Sequence, residues 1–215
     1  MASTFPGSID SFSNPATNSP LTSPSHAGQH QDLNDAVNKI ETYMGLVKVI
    51  PASVTGGTLA ANGTITVGNA VSSVVVSGAF SSLYENYKIL YMGGTGTDGD
   101  IKLQIGSATT GYYMTFQYIA YATAIATPVS QNNGANFQYA GSSRTTSNSV
   151  TVDIYSPNMA TYTTLSGIYM GAKAGSGGGA TSGVLADTTQ HTAFTLIPNV
   201  GTLTGGTIRI YGYRN

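Results

Sequence analysis

Beyond Leu46 the apolar residues recur at every second position in short runs separated by Gly, Asn and Ser, and no helical spacing interrupts them. A period of two places alternate side chains on opposite faces of an extended strand. Parallel strands need a long crossover, usually a helix. With no such segment between the runs, a parallel α/β sheet is excluded and antiparallel pairing follows. The predicted strands are 47–50, 64–67, 72–77, 87–92, 101–106, 112–119, 137–140, 149–155, 163–170, 193–197 and 207–213. Two alternate cleanly: Ile101, Leu103 and Ile105 against Lys102 and Gln104, and Val150, Val152 and Ile154 against Thr151 and Asp153. Loops are expected at 93–99, 130–136 and the Gly-rich 175–179. Many short strands at near-regular spacing predict a mainly β protein, an antiparallel jelly-roll-type β-sandwich over residues 47–215.

What precedes this domain has a different grammar. Residues 1–31 contain four prolines (Pro6, Pro15, Pro20, Pro24), one acid (Asp10) and no Lys or Arg, with Phe5, Ile9, Phe12 and Leu21 as isolated apolar residues. Such a stretch cannot bury enough apolar surface to offset its ordering entropy. It reads as an extended arm, on the order of 100 Å long when fully stretched, whose four apolar residues suit successive pockets on another chain. A helix is expected from Asp32, with Asp32 as its cap, Asp35 in its first turn and Gly45 at C′. Leu33, Val37, Ile40 and Met44 follow at spacings of 4, 3 and 4, an a/d seam. Two heptads also suit a helix lying on its own domain, but the arm upstream offers the seam no partner, which favours self-association, and β-branched Val and Ile tolerate three strands. The expected organisation is an arm (1–31), a short trimerisation helix (32–46) and the β-domain.

Composition excludes several functions. Asp, Glu, Lys and Arg make up 8% of the chain and the formal net charge is -1, against roughly 25% charged residues in ordinary soluble proteins. The eight Lys and Arg are scattered rather than clustered, so binding driven by phosphate neutralisation is not expected and nucleic acid is an unsuitable partner. There is no Cys and no Trp, hence no disulfide and no thiolate metal site. Residues 1–30 lack the pattern of a secretory signal, and no run reaches the ~18 apolar residues of a membrane span. A product made in the cytoplasm, with no membrane partner, is the expectation.

Catalytic chemistry finds few residues to work with. The β-domain holds one histidine, His191, four residues after Asp187, with no nucleophile signature beside it; both read as surface residues of a polar loop. His26 and His30, four apart, would share a helix face and could ligate a metal, but hydrogen bonding at the arm–helix junction is the preferred account and no metal site is expected. Paired carboxylates for glycoside hydrolysis would come from Glu85, Asp98, Asp100, Asp153 and Asp187; Asp98 and Asp100 sit in a Gly-rich turn and read as turn residues or a weak calcium site. No motif requires a cofactor, and an enzyme is not expected, with a polysaccharide-trimming activity the lesser alternative. Tyrosine is a softer signal. Tyr112, Tyr113, Phe116, Tyr118 and Tyr121 crowd one segment, and Tyr211 and Tyr213 lie near the C-terminus; outward rings among Asn and Ser suit saccharide binding or protein docking. Tyr113, Tyr121, Tyr211 and Tyr213 are the candidate receptor or glycan contacts, while strand filling is the better account of any single one of them.

The run Phe5-Pro-Gly-Ser-Ile-Asp-Ser-Phe12 and residues 23–41 (SPSHAGQHQDLNDAVNKIE) resemble the N-terminal attachment segment of tailed-bacteriophage virion proteins, particularly minor tail and fibre-like proteins. The C-terminal run 201–215 (GTLTGGTIRIYGYRN), with Tyr84-Glu-Asn-Tyr-Lys-Ile-Leu90, is similar to the β-domains that close phage fibre-type proteins. The resemblance implies a homotrimeric appendage, such as a tail fibre or receptor-binding tip, docked on tail or capsid proteins through its arm, with Phe5, Ile9, Phe12 and Leu21 as anchor residues. Its β-domain would face a host-surface glycan or protein, and the virion would be released by lysis. A head fibre or capsid-decorating protein of the same design is the close alternative.

Overall fold

The computed structural model describes residues 26–43, 45–172 and 176–213; the anchor residues Phe5, Ile9, Phe12 and Leu21, and Met44 of the seam, lie outside them. The chain divides into two compact units at Gly45/Leu46. The first contains one helix, α1 (His26–Tyr43). It begins six residues before the expected start, so residues 26–31, read as arm, are helical and Asp32 lies in the second turn rather than at the cap. Residues 26–31 carry Gly28, two histidines and no apolar periodicity, so hydrophobic spacing alone could not reveal them. Gly45 has φ 79°, the left-handed conformation that a helix C′ position favours. No helix among the described residues is long and apolar enough to cross a membrane.

The second unit consists of strands. In order they are β1 (Leu46–Lys48), β2 (Ser53–Thr55), β3 (Gly57–Leu59), β4 (Ile65–Val67), β5 (Val74–Ser77), β6 (Asn86–Gly93), β7 (Thr95–Gly96), β8 (Gly99–Ile105), β9 (Tyr112–Ala120), β10 (Ala126–Gly134), β11 (Phe137–Ser143), β12 (Asn148–Tyr155), β13 (Thr163–Met170), β14 (Gly177–Leu185), β15 (Phe194–Pro198), β16 (Leu203–Thr204) and β17 (Thr207–Tyr213). Every pairing between them is antiparallel. The described residues are mainly β, with large antiparallel sheets and one helix.

The large sheet forks at β12. Along one edge β12 pairs over its whole length with β6; along the other, Val152–Tyr155 pair with β13 and Ser149–Val150 pair with β11. One limb continues β13-β14-β9-β10 and the other β11-β8-β15-β5-β2. Beyond β6 lies β17, whose Tyr211–Tyr213 pair with β1 and whose Thr207–Ile208 pair with β4. Residues of both limbs and of β6 and β17 share one apolar core, including Ile101, Leu103, Ile105, Val150, Val152, Ile154, Ile208 and Ile210, all fully buried. The two strands read as alternating therefore bury the expected faces. Tyrosine supplies much of the remaining volume. Tyr112 packs edge-on to Phe137 with centroids 4.9 Å apart, and its hydroxyl accepts from the Ile105 N–H at 2.8 Å. The Tyr91 hydroxyl donates to the Gly205 carbonyl and accepts from Asn148 Nδ2, both at 2.9 Å. Each buried phenol thus meets its polar requirement while its ring fills the core.

Two expected loops are strands. Residues 130–136 fall largely in β10, which pairs with β9 and carries an irregularity between Gln131 and Gly134. The Gly177–Gly179 run opens β14, held by β13 on one side and β9 on the other. Its inward positions are small for a reason: a Cβ on Gly179 would stand 2.0 Å from the Gln117 carbonyl oxygen, and one on Gly177 2.4 Å from that of Ile119. Aromatic rings occupy the space that β14 leaves, with Phe116 lying 4.7 Å from Tyr139, 4.9 Å from Tyr169 and 5.5 Å from Tyr118 between centroids.

Candidate functional site

The order β10-β9-β14-β13-β12-β6-β17-β1 makes an eight-strand antiparallel sheet whose register can be read across from edge to edge. Directly opposed residues share a face. One row runs Tyr113–Val184–Thr164–Tyr155–Asn86–Tyr213–Leu46. The row two residues along runs Ser130–Thr115–Ser182–Ser166–Asp153–Lys88–Tyr211–Lys48. Their inward neighbours Tyr112, Met114, Leu165, Leu185, Val152 and Ile154 are buried, so both rows stand on the outer face.

This placement brings three of the four candidate tyrosines to one face. Tyr113 and Tyr213 share a row and Tyr211 lies in the next. Tyr121 is 60% exposed in the turn between β9 and β10, with its hydroxyl next to Gly178. Tyr155, 38% exposed, joins the set; the inward alternation of Val150, Val152 and Ile154 already implied that it points out. The Tyr213 hydroxyl donates to Asp153 Oδ1, and Lys88 Nζ lies 3.0 and 3.1 Å from the two oxygens of the same carboxylate. Partial burial, then the bond to Asp153, push the Tyr213 phenol up to about 12. The acid, the cation and the phenol satisfy one another at the middle of the sheet, and an ion pair still partly open to water adds little stability.

Between Tyr113 and Tyr155 the face carries hydroxyls. Thr115 Oγ1 and Ser182 Oγ are 3.1 Å apart, and the Tyr155 hydroxyl and Ser166 Oγ 3.2 Å. Two adjoining depressions of about 670 and 600 Å³ open here, sharing Thr115, Ser130 and Ser182. The first extends toward Gln117, Pro128 and Ala180; the second is flanked by Tyr113 and Tyr155. Apart from these two phenols, their linings contain no ionisable side chain.

The other candidates lie elsewhere. His191 is buried rather than on the surface, 5% exposed. Its N–H donates to the Pro157 carbonyl, its carbonyl accepts from Asn158 Nδ2, and its ring seals against Gly106. Its Nε2 stands 3.3 Å from Asp187 Oδ2, a separation of an ion pair without the alignment of a hydrogen bond. Asp187 is held below the usual carboxylate range chiefly by the Thr189 hydroxyl and N–H. Asp98 and Asp100 serve the loop ends. Asp98 accepts from the Thr145 N–H at 3.1 Å, and Asp100 accepts from the Tyr169 hydroxyl at 2.7 Å and from Asn199 Nδ2 at 3.3 Å. Arg144 reaches Ser176 Oγ at 2.9 Å and the Tyr169 hydroxyl at 2.8 Å. Burial, then the bond to Asp100, hold the Tyr169 phenol above its ordinary range. This cluster links residues of four inter-strand connections, at Asp98, Thr145, Ser176 and Asn199, with side chains that already have partners. Among the described residues no group of three or more His, Asp or Glu could hold a metal ion.

On the helix, Leu33, Val37 and Ile40 are 56%, 44% and 43% exposed, a stripe of large apolar side chains open to water. No protein family, no characterised protein and no solved structure matches this chain.

Proposed function

We propose that this chain is a structural and binding protein of a tailed-bacteriophage particle, a homotrimeric appendage such as a tail fibre or receptor-binding tip. Its N-terminal arm docks on a virion protein and its β-domain faces outward. The observation that carries the reading is the open stripe of Leu33, Val37 and Ile40 on a helix belonging to a different compact unit from the β-domain. Three large apolar side chains at heptad spacing, each about half exposed, are stabilised when further copies cover them. A three-stranded coiled coil and a jelly-roll-type sandwich are the finer architecture that goes with this reading. The largely uncharged tyrosine face of the β-domain is consistent with binding rather than catalysis.

Two measurements test the proposal. Sedimentation equilibrium of the purified chain should return three times the chain mass. A variant lacking residues 1–25, which leaves α1 whole, should remain folded yet fail to enter particles when it is the only copy supplied during infection. A monomer in solution, or a truncated chain recovered in purified particles, overturns the reading.

A further inference from the structure

We infer that the paired depressions on the outer face of β10, β9, β14 and β13 are a binding site for a neutral oligosaccharide, with Tyr113 and Tyr155 as its stacking platforms. The inference deepens the binding role proposed above and takes from it only that this face is presented outward.

Geometry comes first. Tyr113 and Tyr155 lie in one cross-strand row, separated by Val184 and Thr164. Three strand spacings put their Cα atoms about 14 Å apart, a span that admits two to three sugar rings in extended linkage. Both rings are more than a third exposed, 40% and 38%. The Tyr155 hydroxyl is tied to Ser166 Oγ at 3.2 Å, which fixes one ring beside the groove before anything binds.

The chemistry of the floor selects the ligand. Ser130, Thr115, Ser182 and Ser166 stand side by side in the next row. A hydroxyl donates once and accepts twice, so the Thr115–Ser182 pair at 3.1 Å still has unused capacity. A row of short hydroxyls alongside two exposed aromatic faces matches a pyranose, whose ring carries alternating C–H patches and hydroxyls. Charge complementarity excludes the acidic sugars. No Lys, Arg or His lines either depression, and the nearest cation in the row, Lys88, is engaged by Asp153. A uronate, sialate or phosphate would therefore lose hydration here without gaining a counter-charge.

The test uses the full-length chain and saturation-transfer NMR against neutral tri- to hexasaccharides of glucose, galactose and N-acetylhexosamines, with uronate-containing and sialylated oligosaccharides alongside. At least one neutral compound should bind, with a Kd that does not change between low and high NaCl. Tyr113→Ala and Tyr155→Ala should each weaken it about tenfold, the loss of one stacked ring. Ser182→Tyr, which fills the shared floor at an exposed position, should abolish binding while the melting temperature stays unchanged. Failure of every neutral compound, preference for the acidic set, or binding that survives Ser182→Tyr overturns the inference. A trimer found on particles that ignores all these sugars refutes the site alone; sugar binding by a monomer absent from particles refutes the appendage alone.

Discussion

At Gly179 an added Cβ would stand 2.0 Å from the Gln117 carbonyl oxygen and 2.6 Å from the Tyr118 Cα, so backbone meets backbone and neither can rotate away. Gly179→Ala should destabilise the β-domain by about 2 kcal/mol, the usual cost of overpacking, in urea denaturation. Ala180→Ser, one residue along on the exposed face, should stay within about 0.5 kcal/mol of the parent. The buried phenols make a second prediction. Burial pushes Tyr91 and Tyr112 up to about 12, as partial burial and Asp153 do for Tyr213, against 10.0 for an unhindered phenol. A group whose pKa is raised on folding holds its proton more tightly in the native state. Its contribution is complete below pH 10 and disappears as pH rises from 10 to 12. Absorbance at 295 nm should therefore lag behind that of the urea-unfolded chain above pH 10, then rise cooperatively as the protein unfolds near pH 12. A titration that superimposes on the unfolded one would contradict this.

Among elements, most of the longer alternating strands were legible in the sequence; β2, β3, β7 and β16, glycine-rich β14, and nine-residue β10, which carries Pro128 and ends in Ser-Gln-Asn-Asn-Gly, were not. Residues 163–170 and 207–213 match β13 and β17 to the residue, because both begin after turn residues and bury every second side chain. Strands β2, β3, β7 and β16 have two or three residues each, too few for any period to show. β14 escaped because Gly177–Gly179 reads as a loop until β9 and its carbonyls are known to lie alongside. The same gap hid the hydroxyl groove: Thr115, Ser182 and Ser166 are far apart in the chain, and only strand order makes them neighbours. Of the two tyrosines beside the groove, Tyr113 was a candidate because it sits in an aromatic-rich segment, whereas Tyr155, alone at the end of its strand, was not. For the helix, Val37→Asp with Ile40→Asp should weaken self-association by several kcal/mol, reducing the mass in light scattering toward that of one chain. An unchanged mass would assign association to the β-domain.

For the whole molecule, the division at Gly45/Leu46 predicts that residues 46–215 fold without the rest. That fragment should melt within a few degrees of the parent, and should be monomeric if the helix carries assembly. Circular dichroism and sedimentation check the two halves separately, and a fragment that fails to fold would mean that the units depend on each other. The position of β17 has a consequence in time. It is inserted between β6 on one side and β1 with β4 on the other, and its Ile208 and Ile210 complete the core. Gly93, the end of β6, is made 120 residues before Tyr213. At 5–20 residues per second that is on the order of ten seconds, during which β4 and β6 wait unpaired on one side and β1, paired only with β17 among the described strands, waits without a partner. The domain cannot close during synthesis of its first half, so each copy exposes strand edges next to identical nascent copies on the same message. Those early strands, Leu46–Lys48, Ile65–Val67 and Asn86–Gly93, are largely apolar and carry one Gly, one Thr and no Ser among them, so until the last strand arrives their open edges invite pairing between the products of neighbouring ribosomes.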